Sequence, residues 1–463
     1  MENYNIILDT DSYKASHWLQ YPPNTTNVFS YIESRGGRHP ETVFFGLQYY
    51  LKKYLTKPVT KENVEEAAAF YAAHGEPFNK DGWMHLVNEH KGLMPVRIRA
   101  IPEGMVVPVH NALVTVENTC PKCFWATSWI ETMLLRIWYP ITVATESRYI
   151  KQIIMSYLEL TADDPGAEIG FKLHDFGSRG VSSHESAEIG GAAHLVNFRG
   201  SDTVAGVLAA NRYYDCPMSA FSIPAAEHST ITSWGRENEV EAYRNMLRNF
   251  AKPGAILAVV SDSYDIFNAC EHIWGEQLRD EVIKSGATVV IRPDSGHPPT
   301  VVLRCLELLA EKFGTTTNTK GYKVLNNVRV IQGDGVNADS IAEILNVAKG
   351  AGFSASNIAF GMGGALLQHH NRDTQMFAMK CSHIKANDID IDVFKEPVTD
   401  KQKNSKRGRL DVIKNGTTLS TIRLLGNEIS HTDSIMGTVF VDGRLMNTCT
   451  LDNIRKNVDE NRV

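Results

Sequence analysis

The sequence predicts an α/β chain: an irregular TIM-like α/β barrel, with a second α+β domain built from both chain ends. Three observations carry this. Seven short apolar runs between about 166 and 371 end in polar or glycine-rich turns. Helical patterns follow most of them, as in a parallel sheet buried on both faces. The chain has 463 residues, too many for one ordinary core.

The runs, in order, are Phe171–His174, His194–Phe198, Ala220–Ile223 and Ala255–Val260, then Ala287–Arg292, Val328–Ile331 and Asn357–Phe360. Helices are expected at about 229–250, 264–285, 298–313 and 337–350. Seven such units make a barrel at the short end of the usual range; an open doubly wound sheet is the alternative. The flanks differ. Residues 1–165 mix helix-like stretches (Lys61–Ala73, Trp125–Ile137) with β-like ones (Val96–Ile101, Ala112–Glu117), and 372–463 alternate β-like runs such as Thr438–Gly443 with turns. The barrel domain is therefore drawn at 166–371, inserted between the two parts of the second domain.

Net charge is −6, which argues against a broad nucleic-acid or anionic-membrane surface. No stretch approaches the roughly 20 apolar residues of a membrane span, and the start lacks a signal-peptide pattern. Seven scattered cysteines fit a reducing cytoplasm. Cys120-Pro-Lys-Cys123 is a lone CxxC, read as incidental because one pair makes a poor zinc site. No Walker loop or dinucleotide fingerprint is present.

In a parallel α/β fold ligands bind beyond the carboxyl ends of the strands. Here those ends carry His174–Arg179, Arg199–Asp202, Pro224–His228, Ser261–Asp265 and Arg292–Gly296. The last two end in Gly333-Asp-Gly335 and Gly361-Met-Gly-Gly364, where successive backbone N–H groups can face a phosphate. Asp294 and Asp334 suit ribose hydroxyls or Mg²⁺, and equally suit turn capping. Arg179, Arg292 and Arg372 suit bidentate phosphate recognition. His228 is placed for acid–base work or phosphate acceptance.

At these residues the sequence resembles the nicotinamide phosphoribosyltransferases of the nicotinate/nicotinamide phosphoribosyltransferase family. The matching stretches include Asp9–Lys14, Trp138–Thr145, Lys172–Gly177, Arg179–Ser183 and Asp202–Gly206, then Pro224–Thr230, Ser261–Asp265, Ile291–Gly296, Gln332–Gly335 and Lys406–Leu410. They span nearly the whole chain. Met362 and Ala365 depart from the usual phosphate loop.

The resemblance implies a barrel of the type II phosphoribosyltransferase kind and a homodimer with active sites at the subunit interface. It implies that Phe176 and Tyr13 of the partner subunit sandwich a nicotinamide ring. Asp202 would accept from its carboxamide, with Arg292 and Ser261 around it. Arg179, Gly363, Gly364, Arg372 and Lys380 would hold the nucleotide phosphate. Asp294, Gly333 and Asp334 would contact ribose and phosphate, and Lys395 and Lys403 the pyrophosphate. His228 would be phosphorylated by ATP, with Glu227 and Asp265 orienting it or a metal. The expected reaction joins nicotinamide to phosphoribosyl pyrophosphate, with Mg²⁺ and ATP as helpers. Two rivals stand beside it: a nicotinate-specific transferase, and a phosphosugar sensor without turnover.

Overall fold

A computed structural model describes residues 4–399, 404–426 and 428–460. The chain forms two compact units. One comprises Glu146–Asn211 and Pro217–His370; the other comprises Met1–Thr145, Arg212–Cys216 and Asn371–Val463.

The first unit is built on a six-stranded parallel half-barrel sheet. Its spatial order is Gly200–Ser201, Leu173–Asp175, Ile358–Met362, Val328–Gln332, Thr288–Arg292 and Ile256–Val260. All its ladders are parallel. The longer strands are buried apolar runs rich in β-branched residues, such as Thr-Val-Val-Ile-Arg over Thr288–Arg292. That composition suits a sheet covered on both faces. Helices Pro298–Phe313 and Ala338–Gly350 follow two of these strands. The first starts on prolines, whose missing N–H groups cost nothing there. The second starts from an Asn337 capping box.

Two expected strands differ. His194–Phe198 is not a strand: His194 ends the helix His184–His194, and the backbone keeps turning, with Phe198 N donating to His194 O at 3.2 Å. The apolar run is a buried helix end, and the strand is the dipeptide Gly200–Ser201. Ala220–Ile223 forms no regular strand. Isolated parallel bridges instead tie Phe221 to Gly200 and Ala225 to Ala258, at the two outer strands of the sheet.

The other unit carries a seven-stranded sheet whose pairings are all antiparallel. It interleaves both chain ends: Thr25–Ser34 pairs with Phe377–Ala386 on one side and Ala112–Asn118 on the other. Among the described residues no helix is long and apolar enough to cross a membrane.

Candidate active site

Strand Leu173–Asp175 delivers Phe176 to the carboxyl end of the parallel sheet. Phe176 N donates to Met362 O at 3.0 Å, so the neighbouring strand holds its backbone. Its ring lies against Gly361, where a Cβ would stand 1.9 Å from Cε2; no other residue fits beneath it. The ring also packs on the cluster of Ala258, Val290 and Ile331. The result is an aromatic floor fixed by backbone on one side and by core on the other. Just behind it, Asp175 is fully buried and accepts from Gly177 N at 2.7 Å. Burial pushes its carboxyl up to about 6.

Above this floor opens a cavity of about 790 Å³, lined by Phe176, Arg179, Asp202, His228, Arg292 and Asp294 together with Glu227, Gly333 and Gly363. That volume suits a nucleotide-sized ligand. Asp202 is exposed to it and accepts from Ser222 Oγ. Arg292 Nη2 lies 3.6 Å from Asp294 Oδ2. The Asp294 carboxyl sits above its usual range because burial outweighs the Arg292 cation. The carboxylates of Asp262 and Asp334 add to the rise, and His228 opposes it.

His228 opens the helix His228–Thr232, with Glu227 at its N-cap. Its Nε2 meets Asp262 Oδ1 at 2.9 Å, and Ser295 Oγ donates to the other carboxylate oxygen at 2.7 Å. The Asp262 side chain is 5% exposed and the imidazole 45%. A shielded carboxylate therefore fixes one ring nitrogen and leaves Nδ1 for chemistry.

Asp262 is the residue that sequence reading missed. Asp265, expected to orient the imidazole, instead caps the helix Ile266–Asn268, accepting from Phe267 N and Asn268 N at 2.9 and 3.0 Å. Glu227 accepts from Ser229 Oγ, and its amide donates to Thr230 Oγ1 at 3.3 Å. Neither contacts His228 through its carboxylate in this way. Ser261 also departs from expectation: its buried hydroxyl donates to Val259 O and accepts from Trp274 Nε1, each at 3.0 Å. It supports the strand end and does not line the cavity.

The two glycine turns are present with different backbones. Gly335 takes φ +65°, whereas Gly363 has φ −99° and ψ −110° and precedes the short helix Gly364–Leu367. Gly333 and Gly363 line the cavity; Gly364 and Asp334 do not appear on its wall. Met362 is buried at the strand end and serves through its carbonyl.

The remaining expected residues lie in the other unit. Tyr13 is 57% exposed on the 3-10 helix Ser12–Leu19. Lys380 sits on strand Phe377–Ala386. Burial lowers its ammonium pKa; Arg35, Lys395 and Arg372 lower it further, while Glu131 raises it. These four cations therefore share one field, and Arg35 joins a set that sequence reading had without it. Lys403 lies outside the described residues.

Mg²⁺ prefers one or two carboxylates plus substrate phosphates to an all-protein cage. Asp294, whose carboxyl the neighbouring Asp334 helps to raise, and Asp334 itself offer oxygen donors of that kind.

Loops at the carboxyl ends of a parallel sheet thus gather an aromatic floor, cations and a carboxylate-bound histidine around a nucleotide-sized space. This is the site of a phosphoribosyltransferase-type enzyme. Residues 171–443 match the nicotinate phosphoribosyltransferase (NAPRTase) family, and residues 5–98 match the nicotinamide phosphoribosyltransferase N-terminal domain. The chain belongs to the nicotinate phosphoribosyltransferase family. It is 56% identical, over 99% of both chains, to a nicotinamide phosphoribosyltransferase of Xanthomonas campestris pv. campestris (strain 8004). It is 33% identical to one of Mycoplasma pneumoniae (strain ATCC 29342 / M129 / Subtype 1), covering 88% of this chain and 95% of that one. Among solved structures, a nicotinate-nucleotide pyrophosphorylase from Pyrococcus furiosus shares the fold at TM-score 0.61 and 15% identity, over 99% of this chain and 96% of that one. Human nicotinic acid phosphoribosyltransferase does so at 0.56 and 16%, over 98% and 93%.

Proposed function

We propose that the chain transfers a phosphoribosyl group from phosphoribosyl pyrophosphate to nicotinamide, giving nicotinamide mononucleotide and pyrophosphate, with ATP hydrolysis coupled through His228. The observation that carries this reading is one cavity lined by Phe176, Asp202, Arg292 and His228, the last held by Asp262.

The pyridine nitrogen attacks C1 of the sugar as the C1–O bond to pyrophosphate breaks. A neutral pyridine nitrogen needs no general base. Phe176 orients the ring, and Asp202 accepts from its carboxamide N–H; the same carboxylate would repel nicotinate. Arg179 and the backbone at Gly363 hold the 5′-phosphate, and Asp294 positions the ribose. Asp294 or Asp334, with substrate phosphates, would hold a Mg²⁺ ion, which would neutralise charge on the leaving group. Asp262 keeps the proton on His228 Nε2, so Nδ1 takes the terminal phosphoryl of ATP and ADP departs.

An irregular barrel of the type II phosphoribosyltransferase kind belongs to this reading; the Phe221 and Ala225 bridges support it. So do a homodimer with active sites at the subunit interface, in which Tyr13 of the partner subunit covers the ring, and a cytoplasmic setting. In the homodimer Arg372, Lys380 and Lys395 are assigned to the substrate phosphates.

The test is incubation of the purified protein with nicotinamide, phosphoribosyl pyrophosphate and Mg²⁺, with and without ATP, with nicotinate in parallel. Nicotinamide mononucleotide raised by ATP is the expected product. Product from nicotinate alone would overturn the role of Asp202, and ligand binding without any product would favour the sensor.

A further inference from the structure

We propose that His85, His90, Cys120 and Cys123 form a structural zinc site in the unit that holds both chain ends.

Cys120-Pro-Lys-Cys123 was expected to be incidental because no second ligand pair was visible beside it. The fold supplies one. Each of the four residues offers a donor atom, and these atoms all lie within 4.8 Å of one another. Bond lengths of about 2.3 Å to sulfur and about 2.0 Å to nitrogen give a tetrahedron with edges of about 3.3–3.8 Å. The separation of Cys120 Sγ and His85 Nε2, 3.7 Å, already falls in that range.

Local structure explains how the pairs meet. His85 sits on the helix Lys80–Glu89, and His90 is its C-cap. Five residues apart on a continuous helix, the two would point about 140° from each other. The helix stops at His90, followed by Lys91 at φ +55°, and both rings reach the same point, 5.6 Å apart between centroids. On the other side, Pro121–Cys123 forms a 3-10 turn, closed by Cys123 N donating to Cys120 O at 2.9 Å. Asn118 Nδ2 also donates to Cys120 O, at 2.8 Å. The two pieces are locked together by Trp83 and Trp125, whose rings pack in a tilted arrangement with centroids 4.6 Å apart. Each tryptophan lies two residues from a ligand, so packing fixes the ligand pairs before any ion arrives.

The chemistry selects the ion. Two thiolates and two neutral imidazoles balance Zn²⁺ exactly in charge, which suits a place where Cys123 is buried and the other three half-buried. Binding releases two thiol protons. Four protein donors leave no open position for a substrate water, so the role is structural. A redox CxxC would have no use for two histidines at this distance.

The experiment uses the full chain, expressed with added zinc and purified without a metal-affinity step. Elemental analysis should find about one zinc per chain. The Cys120→Ser/Cys123→Ser variant should have nearly none. In wild type, Co²⁺ in place of zinc should show thiolate-to-metal charge transfer and the strong visible bands of a tetrahedral site. A strong chelator should lower the melting temperature of wild type by about 3 °C or more. The proposal is overturned if wild type carries only trace zinc, with the Cys120–His85 contact then an ordinary hydrogen bond. It is also overturned if zinc survives loss of both cysteines, or if freshly purified protein holds a Cys120–Cys123 disulfide. Should the double variant fail to fold, the zinc content and cobalt spectrum of wild type decide alone.

Discussion

His228 and Asp262 show what a single contact decides. The carboxylate is shielded and also receives Ser295, so it has one orientation. Asp262→Asn keeps the shape and removes the charge that stabilises a protonated Nε2. ATP stimulation of nicotinamide mononucleotide synthesis should fall at least about tenfold, read as the rate ratio with and without ATP. The same substitution at Asp265 should leave that ratio unchanged, because Asp265 is occupied by helix capping. Asp175 makes a second prediction. Its folded carboxyl titrates near 6 because of burial, against about 4 in an unfolded chain. The folded state thus holds the proton more tightly. Its contribution to stability is full below about pH 4 and is lost as pH rises through about 6, a change of about 3 kcal/mol. Urea midpoints should show this loss between pH 4 and 7, and Asp175→Asn should flatten it.

At the scale of elements, close approach is the governing constraint. Gly361 lets the Phe176 ring lie on a strand backbone. Gly361→Ala should displace the ring and raise KM for nicotinamide more than KM for phosphoribosyl pyrophosphate. Helices His184–His194 and Val204–Tyr214 touch through Gly191 and Gly206, where a Cβ on Gly206 would stand 2.6 Å from backbone. Gly206→Ala should cost about 2–3 kcal/mol, measurable by chemical unfolding. Strands Ile256–Val260, Thr288–Arg292, Val328–Gln332 and Ile358–Met362 were legible as apolar runs, because burial on both faces leaves a continuous hydrophobic signal. His194–Phe198 carried the same signal from a helix end, and apolar runs alone do not separate the two. In the site, cavity residues at strand ends such as Asp202, His228 and Arg292 were visible because the fold class says where ligands bind. Asp262 was not: it shares a five-residue turn with Asp265, and only the backbone's path decides which carboxylate faces the imidazole. The histidines that meet Cys120 and Cys123 were hidden for a related reason, since their spacing of five makes sense only once the helix is seen to stop.

For the whole molecule, the net charge of −6 coexists with a local field of three cations around Lys380. Bulk charge is a poor guide to what a polyphosphate meets. The proposed homodimer has a direct test. Phe176→Ala and Tyr13→Ala should each inactivate the enzyme. If each site takes Phe176 from one subunit and Tyr13 from the other, mixed dimers of the two variants regain one intact site. Random mixing should then recover about a quarter of wild-type activity. No recovery would mean that both aromatics of a site come from one chain.

Strand Thr25–Ser34 pairs with strand Phe377–Ala386, and Thr26 bonds to Lys385 from 359 residues away. During synthesis this strand meets its partner Ala112–Asn118 early, but its other edge waits for Phe377–Ala386, made several hundred residues later. The parallel unit, whose strands follow one another from Leu173 to Met362, can order itself meanwhile. Such long-range pairing is slow and leaves a strand edge open to other chains. The order of folding therefore departs from the order of synthesis, and a nascent chain halted shortly before Phe377 is the species most in need of a chaperone.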